Sequence, residues 1–154
     1  MRYWLMKTEP GTFGVDDLAA ARGQTTGWDG VRNFQARNML RDEMQRGDQA
    51  FLYHSSCAVP GIVAITQIVK EGYPDPTAFD RKHHHYDADS DPLKPRWFMV
   101  DVQLKRRLAR TITLEELRKH AAKKLAGMAL LRAGNRLSIT PVAPAHWKFI
   151  LSLE

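Results

Sequence analysis

Two apolar-rich stretches in the middle of the chain stand close together, with a tight turn between them. Gln49 to Ser55 (QAFLYHS) and Gly61 to Lys70 (GIVAITQIVK) are rich in β-branched and aromatic residues, and Val59-Pro60-Gly61 turns the chain between them. Strands joined by so short a connection pair antiparallel, because parallel pairing needs a long crossover. Trp97 to Arg107 (WFMVDVQLKRR) alternates in the same way. Arg2 to Lys7 reads as an opening strand, with Tyr3, Leu5 and Lys7 on one face and Trp4 and Met6 on the other. Arg136 to Val142 reads as a short last strand ended by Pro141. Helices are expected between these strands. One starts near Thr12 and stops at Gly23, and one runs from Val31 to Gln45. Another is capped by Thr113 with Glu116 and spans Leu114 to Ala122, followed by helical pieces over Leu125–Leu131 and Ala145–Leu153. Gln24 to Gly30 and the polar stretch from Glu71 to Pro95 read as loops. Hairpin order with interspersed helices implies an α+β fold around a mainly antiparallel sheet or barrel.

At 154 residues the chain is one domain, 1–154, long enough to bury a core without staples. Its single cysteine, Cys57, rules out an internal disulfide and a thiolate zinc cluster. No apolar run reaches the length of a membrane span, and MRYWLMKTEP lacks the apolar core of a signal peptide. These features predict a soluble, intracellular protein, cytoplasmic in a bacterium, with no membrane partner. Charge is unevenly distributed. The formal net charge is +6, yet the window from Val102 to Arg136 carries ten basic residues and only two acids, Glu115 and Glu116. Segregated positive charge is the footprint of a polyanion partner, since each neutralised phosphate releases counterions. It is equally the mark of a solvated basic face, and charge alone does not separate the two. Lys105, Arg106, Arg107, Lys123 and Lys124 of this window are the phosphate-contact candidates, with Arg41 beside them.

Motifs for catalysis are missing: there is no P-loop, no dinucleotide fingerprint and no nucleophile elbow around Ser55-Ser56. Cys57 near His54 suggests a thiol nucleophile, but no orienting third group is visible. His83-His84-His85 invites a metal, but consecutive residues point in different directions, whereas metal sites use i,i+4 or alternate positions. No metal, cofactor or catalytic residue is expected. A binding site has more support. Trp28 lies in a glycine-flanked loop beside Asp29 and just before Arg32, Asn33, Arg37 and Asn38. An aromatic ring can stack on a base, a carboxylate or amide can read its edge, and arginines can hold phosphates.

The strings Lys7-Thr8-Glu9-Pro10 and Trp28-Asp29-Gly30-Val31-Arg32-Asn33-Phe34-Gln35-Ala36-Arg37-Asn38 resemble the EVE domain family. The resemblance continues through Gly47-Asp48, Tyr53-His54-Ser55, Pro60-Gly61-Ile62, Tyr73-Pro74-Asp75, Asp91-Pro92 and Pro95-Arg96-Trp97. Val100-Asp101-Val102, Arg136-Leu137-Ser138 and Pro141-Val142 carry it to the C-terminus. It implies a PUA-like fold, a bent, mainly antiparallel β-barrel of about five to six strands flanked by helices and related to the YTH domains. It also implies a non-enzymatic reader of a modified base in DNA or RNA, held flipped out in a pocket. Position by position, the implied base-binding residues are Lys7, Glu9, Pro10, Trp28, Asp29, Arg32, Asn33, Arg37, Tyr53, His54, Ser55, Trp97 and Ser138. The alternatives are a small enzyme acting on a nucleotide or modified base, with Asp29, His54 or Lys7 as acid or base, and a protein-interaction module.

Overall fold

Trp4-Leu5-Met6 and Ala50-Phe51-Leu52-Tyr53 are unbroken apolar runs, and unbroken runs belong to strands covered on both faces. A computed structural model describes residues 1–154 and places these two runs at the heart of one six-stranded sheet. The strands are β1 (Tyr3–Thr8), β2 (Thr25–Gly27), β3 (Gln49–His54), β4 (Gly61–Pro74), β5 (Phe98–Thr113) and β6 (Ile139–Val142), ordered β2-β5-β4-β3-β1-β6. Only β1 and β3 run parallel; every other neighbouring pair is antiparallel. The sheet is mixed and ends at β2 and β6 without closing into a complete barrel. Its longest pair, β4 with β5, shifts register at four places. Each irregularity bends and twists the ribbon, which curls the sheet without closure.

Alternation sorts the buried side chains into two layers. Trp4, Met6, Ala50 and Leu52 join one cluster with Val100 and Val102. Leu5, Phe51 and Tyr53 join the other with Ile62 and Ile112. The first layer is covered by α1 (Val15–Ala20), by α2 (Phe34–Asn38) and by the wider helical turn that follows, Met39–Glu43. The second is covered by α3 (Leu114–Arg118), the turns after it and α4 (Pro144–Ser152), whose Trp147 stacks on Phe51 at 3.9 Å and on Tyr3 at 4.5 Å. Burying a side chain of this size contributes roughly 1.5–3 kcal/mol. Asp48, buried at the start of β3, accepts from the Trp4 indole (3.0 Å) and from the Arg2 (3.0 Å) and Gln45 (3.0 Å) amides.

Several local expectations shift. The helix expected from Val31 starts at Phe34, because the Asn33 side chain accepts the Ala36 N–H (3.0 Å) and caps it there. The stretch expected as a loop from Gln24 contains β2, whose three residues pair with Gln103, Val102 and Asp101 of β5. The Leu114 helix is capped by Thr113 as expected but stops at Arg118, and only Ala129–Leu131 of the next piece is helical. β4 continues through Pro74, so the long loop begins at Asp75.

Candidate nucleic-acid interface

Where β1, β2 and β3 end, and where the chain enters β6, the polypeptide leaves an open cavity of about 670 Å³. Lys7, Thr8 and Glu9 come from the end of β1, and Thr26 to Arg32 from β2 and the loop after it. Ser55 and Ser56 follow β3, His84 and His85 belong to the long loop, and Arg136 and Ser138 precede β6. Only three lining residues are hydrophobic: Phe13, Trp28 and Val31. Such a cavity suits a small polar, partly apolar ligand held at defined contacts.

The rim is held by backbone hydrogen bonds. The Lys7 N–H donates to the Ser138 carbonyl (2.8 Å), and the Ser55 N–H donates to the Thr8 carbonyl (2.9 Å), so three strand ends stay in register. Ser56 sits in left-handed backbone at φ 52°, an uncommon conformation for a residue with a Cβ. The Trp28–Arg32 loop is anchored by Asp75, whose carboxylate is fully buried. Its Oδ2 accepts from the Gly30 N–H (2.8 Å) and Arg32 Nη1 (3.0 Å); its Oδ1 accepts from the Thr77 N–H (2.9 Å) and Thr77 hydroxyl (2.6 Å). Burial by itself would raise the Asp75 carboxyl, but the donors from Thr77, Gly30 and Arg32 outweigh it and hold it below the carboxylate range. Tyr73 donates to Asp101 beside Gly27, and burial together with that carboxylate pushes its phenol well up.

Four charged side chains of the lining, Lys7, Glu9, Asp29 and Arg136, make no side-chain hydrogen bond, and two of them stand close to the site's other groups. Lys7 has no carboxylate partner, and burial alone holds its ammonium below the ordinary lysine value. Asp29 is partly exposed and makes no side-chain hydrogen bond, its nearest neighbours being His85 Nδ1 at 3.6 Å and His83 Nε2 at 3.8 Å. Burial lowers the His85 imidazole, with Asp29 opposing.

Of the residues singled out from sequence, the cavity brings together Lys7, Glu9, Trp28, Asp29, Arg32, Ser55 and Ser138. Their parts differ from expectation in places. Trp28 is 8% exposed and packs in the first apolar layer, so it is cavity wall and core at once. The Arg32 guanidinium is consumed by the His85 carbonyl (2.7 Å), Asp75 and Thr77. It ties the histidine loop to the tryptophan loop rather than reaching for a phosphate.

The other candidates lie outside the lining. Pro10 packs against Gly14, where an added Cβ would stand 3.2 Å from it. Asn33 is the α2 cap. Arg37 donates to the Arg96 carbonyl (2.6 Å). Tyr53, 2% exposed, belongs to the second layer. His54 accepts the Val15 N–H at Nε2 (3.1 Å), and burial holds its imidazole below the ordinary value. Trp97, 6% exposed, stacks on Phe34 at 4.8 Å and donates to Asp87 (2.6 Å). The phosphate candidates change too. Arg41 pairs with Asp42, Arg106 with Glu154 and Arg107 with Asp16. Lys105, Lys123 and Lys124 are exposed away from the lining, and Arg136 is the one member of the basic window that reaches it. Sequence reasoning missed Asp75, although Asp-Pro-Thr is a turn signature. It also took His83-His84-His85 to diverge, whereas the turn there brings one ring nitrogen of each within 4.8 Å of the others.

The EVE domain model matches residues 2–153. The chain belongs to the EVE domain family. It is 48% identical to mouse thymocyte nuclear protein 1 over 166 aligned residues, covering 99% of this chain and 73% of the mouse protein. This EVE domain superposes on a crystal structure of a Pseudomonas putida protein with a TM-score of 0.92, at 44% identity and 98% coverage of both chains. It matches human thymocyte nuclear protein 1, solved in complex with 5-methylcytosine-containing DNA, with a TM-score of 0.94 at 45% identity, covering 99% of this chain and 97% of the human one. The α+β, mainly antiparallel architecture expected from the sequence is the EVE fold. No helix of this EVE domain is long and apolar enough to cross a membrane.

Proposed function

We propose that this EVE domain is a non-enzymatic DNA-binding module that takes a modified cytosine, flipped out of the stack, into the cavity between the ends of β1, β2 and β3. The observation that carries this reading is the pairing of an unspent cation, Lys7, with an unspent carboxylate, Asp29, in one polar cavity. The human relative solved with 5-methylcytosine DNA supplies the ligand class.

The chemistry matches. An extruded cytosine presents an amine donor at N4 and acceptors at N3 and O2. Lys7 can donate only, whereas Asp29 and Glu9 accept only, so a cytosine edge satisfies both signs; a thymine edge carries them in a different order, with its N3 donor between two acceptors. The hydroxyls of Ser55, Ser56 and Ser138 turn to either role. Phe13, Trp28 and Val31 offer the small apolar surface that a 5-methyl group and the base faces need. Unstacking is offset by these contacts, as in enzymes and readers that extrude a base. Arg136, exposed and part of the lining, supports contacts to phosphate that are blind to sequence.

The test is titration of a duplex with one 5-methylcytosine against its unmodified twin, with the strand recovered and weighed. Wild type binds the modified duplex more tightly than its twin, and Lys7→Met weakens binding of the modified duplex at least about tenfold, the loss expected for a charge-assisted hydrogen bond. Equal affinity for both duplexes overturns the reading. A mass change in the recovered strand makes the protein an enzyme instead.

A further inference from the structure

The histidine run has chemistry that base binding does not use. His83, His84 and His85 follow one another in a turn closed by the Tyr86 N–H on the His83 carbonyl (3.0 Å). One ring nitrogen from each lies within 4.8 Å of the others. Asp29 faces two of these rings from the opposite loop, with Oδ2 at 3.6 Å from His85 Nδ1 and 3.8 Å from His83 Nε2. These separations are too long for hydrogen bonds. The Asp29 separations lie close to the ligand–ligand edge of a tetrahedral ion, about 3.3–3.6 Å for metal–nitrogen and metal–oxygen bonds of roughly 2.0–2.2 Å, and the histidine nitrogens close in on it from a spread of up to 4.8 Å. His85 Nδ1 is moreover buried with no hydrogen-bond partner, a state that polar atoms seldom keep. Gly30 permits the approach: it has φ +79°, and a Cβ there would stand 2.2 Å from the His85 ring.

We propose that Asp29, His84 and His85, with His83 as a fourth ligand, form a binding site for a divalent transition-metal ion of the zinc type at the rim of the cavity. Imidazole nitrogens with a single carboxylate suit Zn²⁺, Ni²⁺ or Cu²⁺, whereas Ca²⁺ and Mg²⁺ require a shell of oxygens. The ligands are unequal. His83 Nδ1 accepts the His85 N–H (3.0 Å), so its proton sits on Nε2, and coordination there must move that proton and break the bond. The rings of His84 and His85 carry no such constraint. The nearby Arg32 charge is already paired with Asp75. A bound ion cross-links the histidine loop to the Trp28–Gly30 loop and fixes one wall of the cavity. Asp29 faces the histidines through Oδ2, which leaves Oδ1 as an acceptor toward the cavity, so the metal site and the base-reading proposal do not compete for the same atom.

The test uses the full chain, purified without an affinity tag and stripped with chelator. Zn²⁺ is titrated by calorimetry, and Co²⁺ is added as a spectroscopic stand-in. The expected result is one ion per chain, with the intense visible absorption of four-coordinate Co²⁺. Asp29→Asn and His85→Ala each weaken Zn²⁺ binding at least about tenfold, and His83→Ala weakens it less. Asp29→Asn preserves size and shape, and the Co²⁺ spectrum needs no variant, so misfolding does not blur the outcome. Absence of Zn²⁺ binding, or a purely six-coordinate Co²⁺ spectrum, overturns the site. So does binding that is unchanged by Asp29→Asn, which reduces it to an ordinary histidine run. No oligonucleotide enters this experiment, so its failure leaves the base-reading proposal untouched.

Discussion

Asp75→Asn is a nearly isosteric change with a large expected effect. Both carboxylate oxygens of Asp75 face two donors each: Gly30 N–H and Arg32 on one side, Thr77 N–H and its hydroxyl on the other. An amide has one accepting end and one donating end. Whichever way the substituted side chain turns, its NH₂ meets donors. Against Gly30 and Arg32 it strands a backbone N–H and repels a guanidinium; against Thr77 the hydroxyl can rotate to accept, but the N–H stays orphaned. A buried donor left unsatisfied costs about 1–3 kcal/mol, and losing the Arg32 pair adds to this, reduced because that guanidinium is about a quarter exposed. The sum is about 2–4 kcal/mol, or roughly 5–15 °C in midpoint for a domain of this size. Thermal or urea unfolding measures it, and duplex titration on the folded variant follows the loss of the Trp28–Arg32 geometry. A midpoint within about 2 °C of wild type would refute the view that Asp75 organises the loop.

Trp28→Ala is expected to lower unfolding stability by about 3–5 kcal/mol, because the ring is core as well as wall; chemical denaturation checks this, and an unchanged midpoint removes Trp28 from the core. His54 brings a pH dependence with a definite sign. Its folded imidazole titrates below the ordinary 6.5 and must be neutral to accept the Val15 N–H, so its contribution is complete above about pH 6.5 and is lost as pH falls through the lower folded value. Unfolding midpoints at about pH 7.5 and pH 5 should therefore differ less in His54→Gln than in wild type. Arg136→Ala should weaken modified and unmodified duplexes alike and reduce the salt slope by about one, while Arg106→Ala, which loses a cation already paired with Glu154, changes it less. The reverse order would return the phosphate track to the β5 window.

The middle strands were legible because alternation is a local signal and the Pro-Gly turn sits between two of them. β2 was not, since Thr-Thr-Gly acquires strand geometry only from its partner Val102 across the sheet. The helix start at Phe34 was hidden by apolar Val31, which is buried ahead of the helix while Asn33, in extended backbone, caps it. Within the site, proximity in a motif was a poor guide to direction. Tyr53 and His54 immediately precede Ser55, yet Tyr53 turns into the second layer and His54 holds α1, and only Ser55 reaches the cavity. Arg32 reads as a phosphate ligand until its acceptors are known, and those lie 43 to 53 residues away. Asp75 and the gathered histidines depend on the same long-range folding of a loop whose sequence shows only polarity and turns.

The claim that the cavity receives an extruded base is tested most directly by placing 2-aminopurine next to a single 5-methylcytosine in a duplex. Its fluorescence is quenched by stacking and rises when the neighbouring base leaves the helix. At saturating protein a clear rise is expected on the modified duplex, with a much smaller one on the unmodified duplex and on the modified duplex with Lys7→Met at equal occupancy. Tight, modification-selective binding with flat fluorescence would show that the base is read inside the helix, and would contradict the account.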